Sequence, residues 1–238
     1  MAEAMEVEAV NDEDLLKAAE SGNVEVFEEL EIDQLKKAAS IRNEDARSLL
    51  HVAAAAGNLR LVRILAGIEP SLTGVNGGDE EGWTPLHSAV SSGRDDVVEA
   101  LLQAGADVSI ANNGGRTALH YAASKGRLKI AQVLISHGAK INQKDKFGCT
   151  PLHRAASAGH PELCEMLIEE GADVDATDKT GQTPLMHAVI CNDKQVALLL
   201  VRNSADVDCE DGEGYTVLGR ASNELRSFLV DAARVMLE

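Results

Sequence analysis

Thr84-Pro85-Leu86-His87 recurs in altered form thirty-three residues further on, and the recurrence decides the fold. Thr117-Ala118-Leu119-His120, Thr150-Pro151-Leu152-His153, Thr183-Pro184-Leu185-Met186 and Thr216-Val217-Leu218-Gly219 follow at the same step. A fixed period in this range marks stacked helical repeats, each too small to bury its own apolar face. The phrase opens a helix. Threonine supplies an N-cap oxygen, and proline at the first helical position has no N–H to leave unpaired. Leu86, Ala89 and Val90 then fall on one face, as do Leu119, Ala122, Ala123 and Leu152, Ala155, Ala156. Gly93, Gly126 and Gly159 extend that column, and Gly126 is expected in a tight helix contact.

A second helix follows in each unit, carrying Val98, Leu101 and Leu102, then Val133, Leu134 and Ile135, then Met166, Leu167 and Ile168. It stops at Gly105-Ala106, Gly138-Ala139 or Gly171-Ala172, a C-terminal signal. A turn glycine precedes each Thr by two residues from Gly82 to Gly214. Each unit therefore reads helix, turn, helix, projecting hairpin. A Thr-Pro-Leu-His phrase at this period resembles the ankyrin-repeat family. The expected architecture is all-α, an ankyrin-repeat solenoid of about seven helix-turn-helix units with projecting β-hairpin loops.

Taken in order, residues 1–11 read as a mobile acidic lead-in and 12–46 as an N-terminal capping repeat. Residues 47–214 are central repeats, and 215–238 a C-terminal cap. Asp12 to Glu31 reads as a degenerate helix pair whose Glu13, Asp14, Glu20, Glu25, Glu28, Glu29, Glu31 and Asp33 suit the polar outer face of a terminal repeat. Ser48-Leu49-Leu50-His51 is the first equivalent of the phrase, with Ala46 in place of the turn glycine. Three extra residues before Thr84 map to a loop spanning Ile68–Gly78.

The 238 residues carry a formal net charge of −17 and only 3% aromatics. That charge argues against sequence-independent nucleic-acid or anionic-membrane binding. Met1 to Val10 is acidic, unlike a secretory signal, and no apolar run approaches the ~18 residues of a membrane span. Cys149, Cys164, Cys191 and Cys209 occupy unrelated phases without metal-ligand spacing, so reduced thiols are expected. His51, His87, His120 and His153 recur in one column, which spreads them along the stack instead of converging on a metal; they read as hydrogen-bonding parts of the repeat. No phosphate-binding glycine loop or Gly-x-Ser-x-Gly elbow is present, and no enzyme, cofactor or metal is expected.

A partner surface is expected where residues four, seven and eight after each cap share an unburied face. They include Val52, Ser88, Ser91, Tyr121, Ser124, Lys125, Arg154, His187, Ile190 and Cys191, with Arg94 and Arg127 nearby. Asp45, Arg47, Asp79, Glu80, Glu81, Trp83 and Arg116 lie along the hairpins, where an exposed Trp83 between opposite charges suits a binding hot spot.

Gly82-Trp83-Thr84-Pro85-Leu86-His87-Ser88-Ala89, Ser92-Gly93-Arg94-Asp95 and Leu119-His120-Tyr121-Ala122-Ala123-Ser124-Lys125 resemble the gankyrin-type ankyrin-repeat family over about Asp12 to Arg234. That resemblance implies an assembly chaperone of the 26S proteasome regulatory particle. Such a protein is cytoplasmic and nuclear, monomeric, and holds the C-terminal domain of a base AAA ATPase subunit on its concave face. The acidic contributors it implies are Asp45 and Glu80, and the basic ones Arg47 and Lys125. The family's Leu-x-Cys-x-Glu motif, associated with retinoblastoma-protein binding, is replaced in phase by His187, Val189 and Cys191, so that activity is not expected. A general ankyrin adaptor regulating a kinase or a transcription factor is the alternative.

Overall fold

The computed structural model describes residues 11–68 and 74–236, so the acidic residues 1–10 and part of the expected 68–78 loop lie outside the described residues. Among the described residues there are fifteen helices and no strands. The chain divides into two compact units, Met1–Ala106 and Asp107–Glu238. The first carries helix pairs Asp12–Ser21 with Glu25–Glu28, Leu49–Ala56 with Leu59–Ala66, and Pro85–Ser92 with Asp95–Gln103. The second carries Ala118–Ser124 with Leu128–Ser136, Pro151–Ala158 with Pro161–Glu169, Pro184–Ile190 with Lys194–Arg202, and Val217–Arg220 with Asn223–Met236. An additional helix, Ile32–Ala39, follows the first pair and buries Ala38 and Ala39. Its capping-box residues are Glu31 and Gln34, a signal outside the Thr-based period.

Each recurring phrase starts its helix as its chemistry dictates. The Oγ atoms of Ser48, Thr84 and Thr150 accept the N–H three residues on, and the histidine at that third position returns its Nδ1 to the cap backbone. A cap of this kind contributes about 1 kcal/mol. Three histidines of this column also reach forward to the following hairpin. His51 Nε2 donates to the Trp83 carbonyl at 2.7 Å, His120 Nε2 to Cys149 at 3.1 Å and His153 Nε2 to Gln182 at 3.0 Å. With Nδ1 accepting a backbone N–H, the neutral Nε2–H tautomer is the one that satisfies both bonds. Burial pushes the His51 pKa down and those of His120 and His153 down to about 4, outweighing the carbonyls that favour the charged form.

The apolar columns are the core: Leu86, Ala89, Val90, Leu119, Ala122, Ala123, Leu152, Ala155 and Ala156 are all buried. Alanine and valine there bring neighbouring first helices into contact. The glycine column does not belong to that face. The Ala118–Ser124 helix has already ended when the chain reaches Gly126, which has φ 64°. A Cβ there would lie 2.8 Å from the His160 ring, so the tight approach is made by an imidazole and not by a neighbouring helix.

The hairpins are short. Antiparallel bridges pair Arg42 with Ser48, Ala111 with Thr117 and Glu210 with Thr216. The expected terminal acids Glu13, Asp14, Glu20, Glu25, Glu28, Glu29, Glu31 and Asp33 are all exposed, while Phe27 is fully buried beneath them.

Candidate protein-docking surface

Every hairpin is built around one carboxylate or amide five residues before the helix cap: Asn43, Asp79, Asn112, Asp145, Asp178 and Asp211. Its Oδ1 accepts the N–H groups two and four residues on, which closes the loop. At Asp79 these are Glu81 at 3.0 Å and Trp83 at 2.8 Å. From Asn112 onward the other polar atom, Nδ2 of the amide or Oδ2 of the carboxylates, meets the fourth residue of the helix, nine residues further on. Tyr121 OH accepts from Asn112 Nδ2 at 2.8 Å, Arg154 clamps Asp145, His187 lies 3.0 Å from Asp178, and Arg220 bonds Asp211 at 2.6 Å. These side chains fold back under their own hairpins. The expected unburied column is unburied only in part: Val52 and Ser88 are buried and Tyr121, Arg154 and His187 half-buried, while Lys125, Ile190 and Cys191 are exposed.

In the first unit two hairpins join through the Glu80 N–H, which donates to the Asp45 carbonyl at 3.1 Å. Between them opens a hollow of about 430 Å³ lined by Asp45, Arg47, Asp79, Glu80, Glu81 and Trp83. Asp45, Glu80 and Glu81 are exposed. Arg47 is half-buried, with Nε 3.9 Å from Asp79 and Nη2 donating to Ser88 Oγ at 3.3 Å. Its buried Nε makes no hydrogen bond. Trp83 is half-buried instead of exposed, its ring centroid 6.0 Å from that of His87. The tilted His87 ring supports one side of the indole.

Ser91 and Arg94 do not line this hollow. Ser91 is half-buried, whereas Arg94 is exposed and packs its side chain along the neighbouring turn, its Nε 3.5 Å from the Ala55 carbonyl. In the second unit Tyr121 and Ser124 are half-buried, and Lys125 and Arg127 are exposed around the end of the Ala118–Ser124 helix. The sequence-predicted residues thus form an acidic hollow with one engaged arginine on the first unit and a basic helix end on the second.

Three residues of the second unit escaped the sequence reading: Asp145, Asp178 and Asp211, with side chains 0%, 8% and 1% exposed. Their five-residue offset from each cap was a usable signal. Burial raises the Asp145 carboxyl, but the Arg154 hydrogen bond and the Phe147 and Cys149 N–H groups outweigh it and hold the pKa below the usual carboxylate range.

The family description "Ankyrin repeats (3 copies)" matches residues 15–112 and 141–211, and "Ankyrin repeats (many copies)" matches 101–155. The chain belongs to the ankyrin-repeat family. The ankyrin-repeat domain of Bcl-3 shares the fold with a TM-score of 0.77 at 26% identity, covering 90% of this chain and 96% of that one. Among ankyrin-repeat relatives, the 26S proteasome non-ATPase regulatory subunit 10 of Dictyostelium discoideum is 36% identical over 96 residues, 40% of each chain. The probable 26S proteasome regulatory subunit p28 of Saccharomyces cerevisiae is 36% identical over 84 residues, 34% of this chain and 36% of its own. Mouse protein phosphatase 1 regulatory subunit 27 is 44% identical over 66 residues, 28% of this chain and 41% of its own. The chain therefore spans about two-fifths of the length of these three relatives. Ankyrin repeats serve as protein-binding scaffolds, and the matching descriptions name repeats without a catalytic domain. Among the described residues no helix is long and apolar enough to cross a membrane.

Proposed function

We propose that this ankyrin-repeat protein is a non-catalytic assembly chaperone of the 26S proteasome regulatory particle, docking the C-terminal domain of one base AAA ATPase subunit. The observation that carries the reading is the hollow of the first unit, where Asp45, Glu80 and Glu81 surround a half-buried Trp83. An indole supplies apolar contact area with little conformational entropy to lose, and the surrounding carboxylates select a cationic partner segment. On the second unit, exposed Lys125 and Arg127, with Tyr121 and Ser124 beside them, form a basic patch of their own. The names of the Dictyostelium and yeast relatives supply the proteasome context. Arg47 is the weakest of the proposed contacts, because a partner carboxylate has to compete with Asp79 and Ser88 for it. The protein acts as a monomer in cytoplasm and nucleus, and its charge of −17 disfavours nucleic acid.

The test is capture from cell extract by the tagged chain, with mass spectrometry of what is retained, repeated with Asp45→Lys and Glu80→Lys combined. The reading expects a proteasomal ATPase subunit to be retained by the native chain and lost by the variant. Retention of a phosphatase, kinase or transcription factor without any proteasomal subunit overturns it in favour of a general adaptor, a role that the match to phosphatase 1 regulatory subunit 27 favours.

A further inference from the structure

Asp178 breaks the pattern of its neighbours at both of its partners. Asp145 faces two guanidinium groups: Arg154, nine residues on, and Arg116, the residue before the preceding helix cap, at 3.5 Å. Asp211 faces Arg220. At Asp178 the position of Arg154 and Arg220 is taken by His187, and the position of Arg116 by Cys149. The backbone support is unchanged, since Oδ1 accepts the Thr180 and Gln182 N–H groups at 2.8 and 3.0 Å and the Thr180 hydroxyl at 2.7 Å. Oδ2 is left to His187 Nε2 at 3.0 Å and Cys149 Sγ at 3.9 Å. The sulfur, nitrogen and oxygen atoms all lie within 4.8 Å of one another.

We propose that Cys149, Asp178 and His187 form a zinc site. Thiolate, imidazole and carboxylate are the zinc donor set, and three protein ligands leave the fourth tetrahedral position to water. Asp145 and Asp211 each face a guanidinium; at Asp178 an imidazole and a thiol stand in its place, and a divalent cation supplies the positive charge there. A tetrahedral shell sets its ligand atoms roughly 3–4 Å apart, so the three side chains close on the ion by a movement of about 1 Å. The donors come from two successive hairpins and the Pro184–Ile190 helix, so the ion clips consecutive repeats together. His153 packs edge-on against His187 with centroids 5.1 Å apart. Its own nitrogens are committed to Thr150 and to the Gln182 carbonyl, so it orients the ligand ring without being a ligand. Coordination releases the Cys149 thiol proton to solvent. The sequence hid this site because its ligands are 29 and 9 residues apart, outside every short metal motif.

The full chain, reduced and stripped with chelator, is titrated with Zn²⁺ by calorimetry and with Co²⁺ by absorption. We expect one equivalent of each, a thiolate-to-cobalt charge-transfer band, displacement of Co²⁺ by Zn²⁺, and a higher thermal midpoint with Zn²⁺. His187→Arg recreates the pair seen at Arg154 and Asp145, so it keeps the fold while losing at least about 100-fold in affinity. Cys149→Ser loses the charge-transfer band, and Cys191→Ser, at an exposed thiol, keeps it. Absence of saturable one-to-one binding, or undiminished binding in folded His187→Arg, overturns the proposal.

Discussion

Asp79 in the first unit and Asp145 in the second hold the same place in the repeat and fold their hairpins with the same two backbone bonds. Their second oxygens meet different fates. Asp145 is fully buried under Arg154, with Arg116 at 3.5 Å. Asp79 has only Arg47 at 3.9 Å, because the helix residue nine positions on is Ser88, too short to reach and itself held by Arg47. Where that helix residue is arginine, the charge is used up inside the fold. With serine there, Asp79 keeps one cation at 3.9 Å, and the hollow beside it is lined by the exposed Asp45, Glu80 and Glu81. The docking surface proposed for the first unit lies where the repeat frame has no arginine at that helix position.

Acid attacks the closed seams and produces the largest effect. His120 and His153 of the second unit are held near a pKa of about 4, against about 6.5 in the unfolded chain. Each therefore contributes roughly 3 kcal/mol that is fully present above pH 6.5 and is lost as pH falls towards 4. Asp145, whose pKa is lowered, keeps its contribution until pH drops below the usual carboxylate range near 3.9. Urea midpoints are expected to fall steeply between pH 6.5 and 4; a flat profile there would show that the imidazoles charge freely within the fold.

Arg154→Ala comes next. It strips the principal partner from a carboxylate with no exposed side-chain surface, and a loss of about 3 kcal/mol is expected, the lower end for a broken buried pair because Arg116 remains. Arg47→Ala removes a longer, partly exposed pair, and about 1 kcal/mol or less is expected. Equal losses in urea unfolding would erase the contrast between the two hairpins. A charge reversal at Arg47 would set a carboxylate against Asp79, so it is unsuited to testing binding alone.

The contrast between filled and open positions extends to glycine. Gly126→Val forces a branched side chain into φ 64° and into the His160 ring, at a cost of about 1–3 kcal/mol. Gly138→Ala meets nothing within 4 Å and pays only for φ 88°, about 1 kcal/mol. Thermal unfolding that ranks Gly138→Ala below Gly126→Val in stability would contradict the packing described.

The helix pairs were legible because threonine, proline and leucine act locally: a cap, a first turn and a buried face follow from spacing alone. The hydrogen-bonded role of His51, His120 and His153 was legible for the same reason, since a repeated column cannot converge on one ion. What spacing concealed was the fold-back of the fourth helix residue onto its hairpin. On an isolated helix Ser88 and Val52 face outward; in the repeat both are buried. Arg47 instead turns inward to Ser88 and Asp79, and Trp83 is half-buried beside the His87 ring. Gly126 was misread because periodicity continues on paper past the residue where the helix stops. The Ile32–Ala39 helix was missed because its cap, Glu31 with Gln34, lies outside the repeat.

The smallest expected change in stability accompanies the largest expected change in binding. Asp45 and Glu80 are exposed, so Asp45→Lys with Glu80→Lys is expected to move the folding free energy by less than about 0.5 kcal/mol at each site. The direct measurement is calorimetric titration of a proteasomal ATPase C-terminal domain into the native chain and into this double variant, with urea midpoints taken in parallel. Docking through desolvated carboxylates predicts saturable binding to the native chain and a loss of at least ~2 kcal/mol, about thirtyfold, in the variant. Unchanged affinity in the folded variant would contradict docking at the Trp83 hollow.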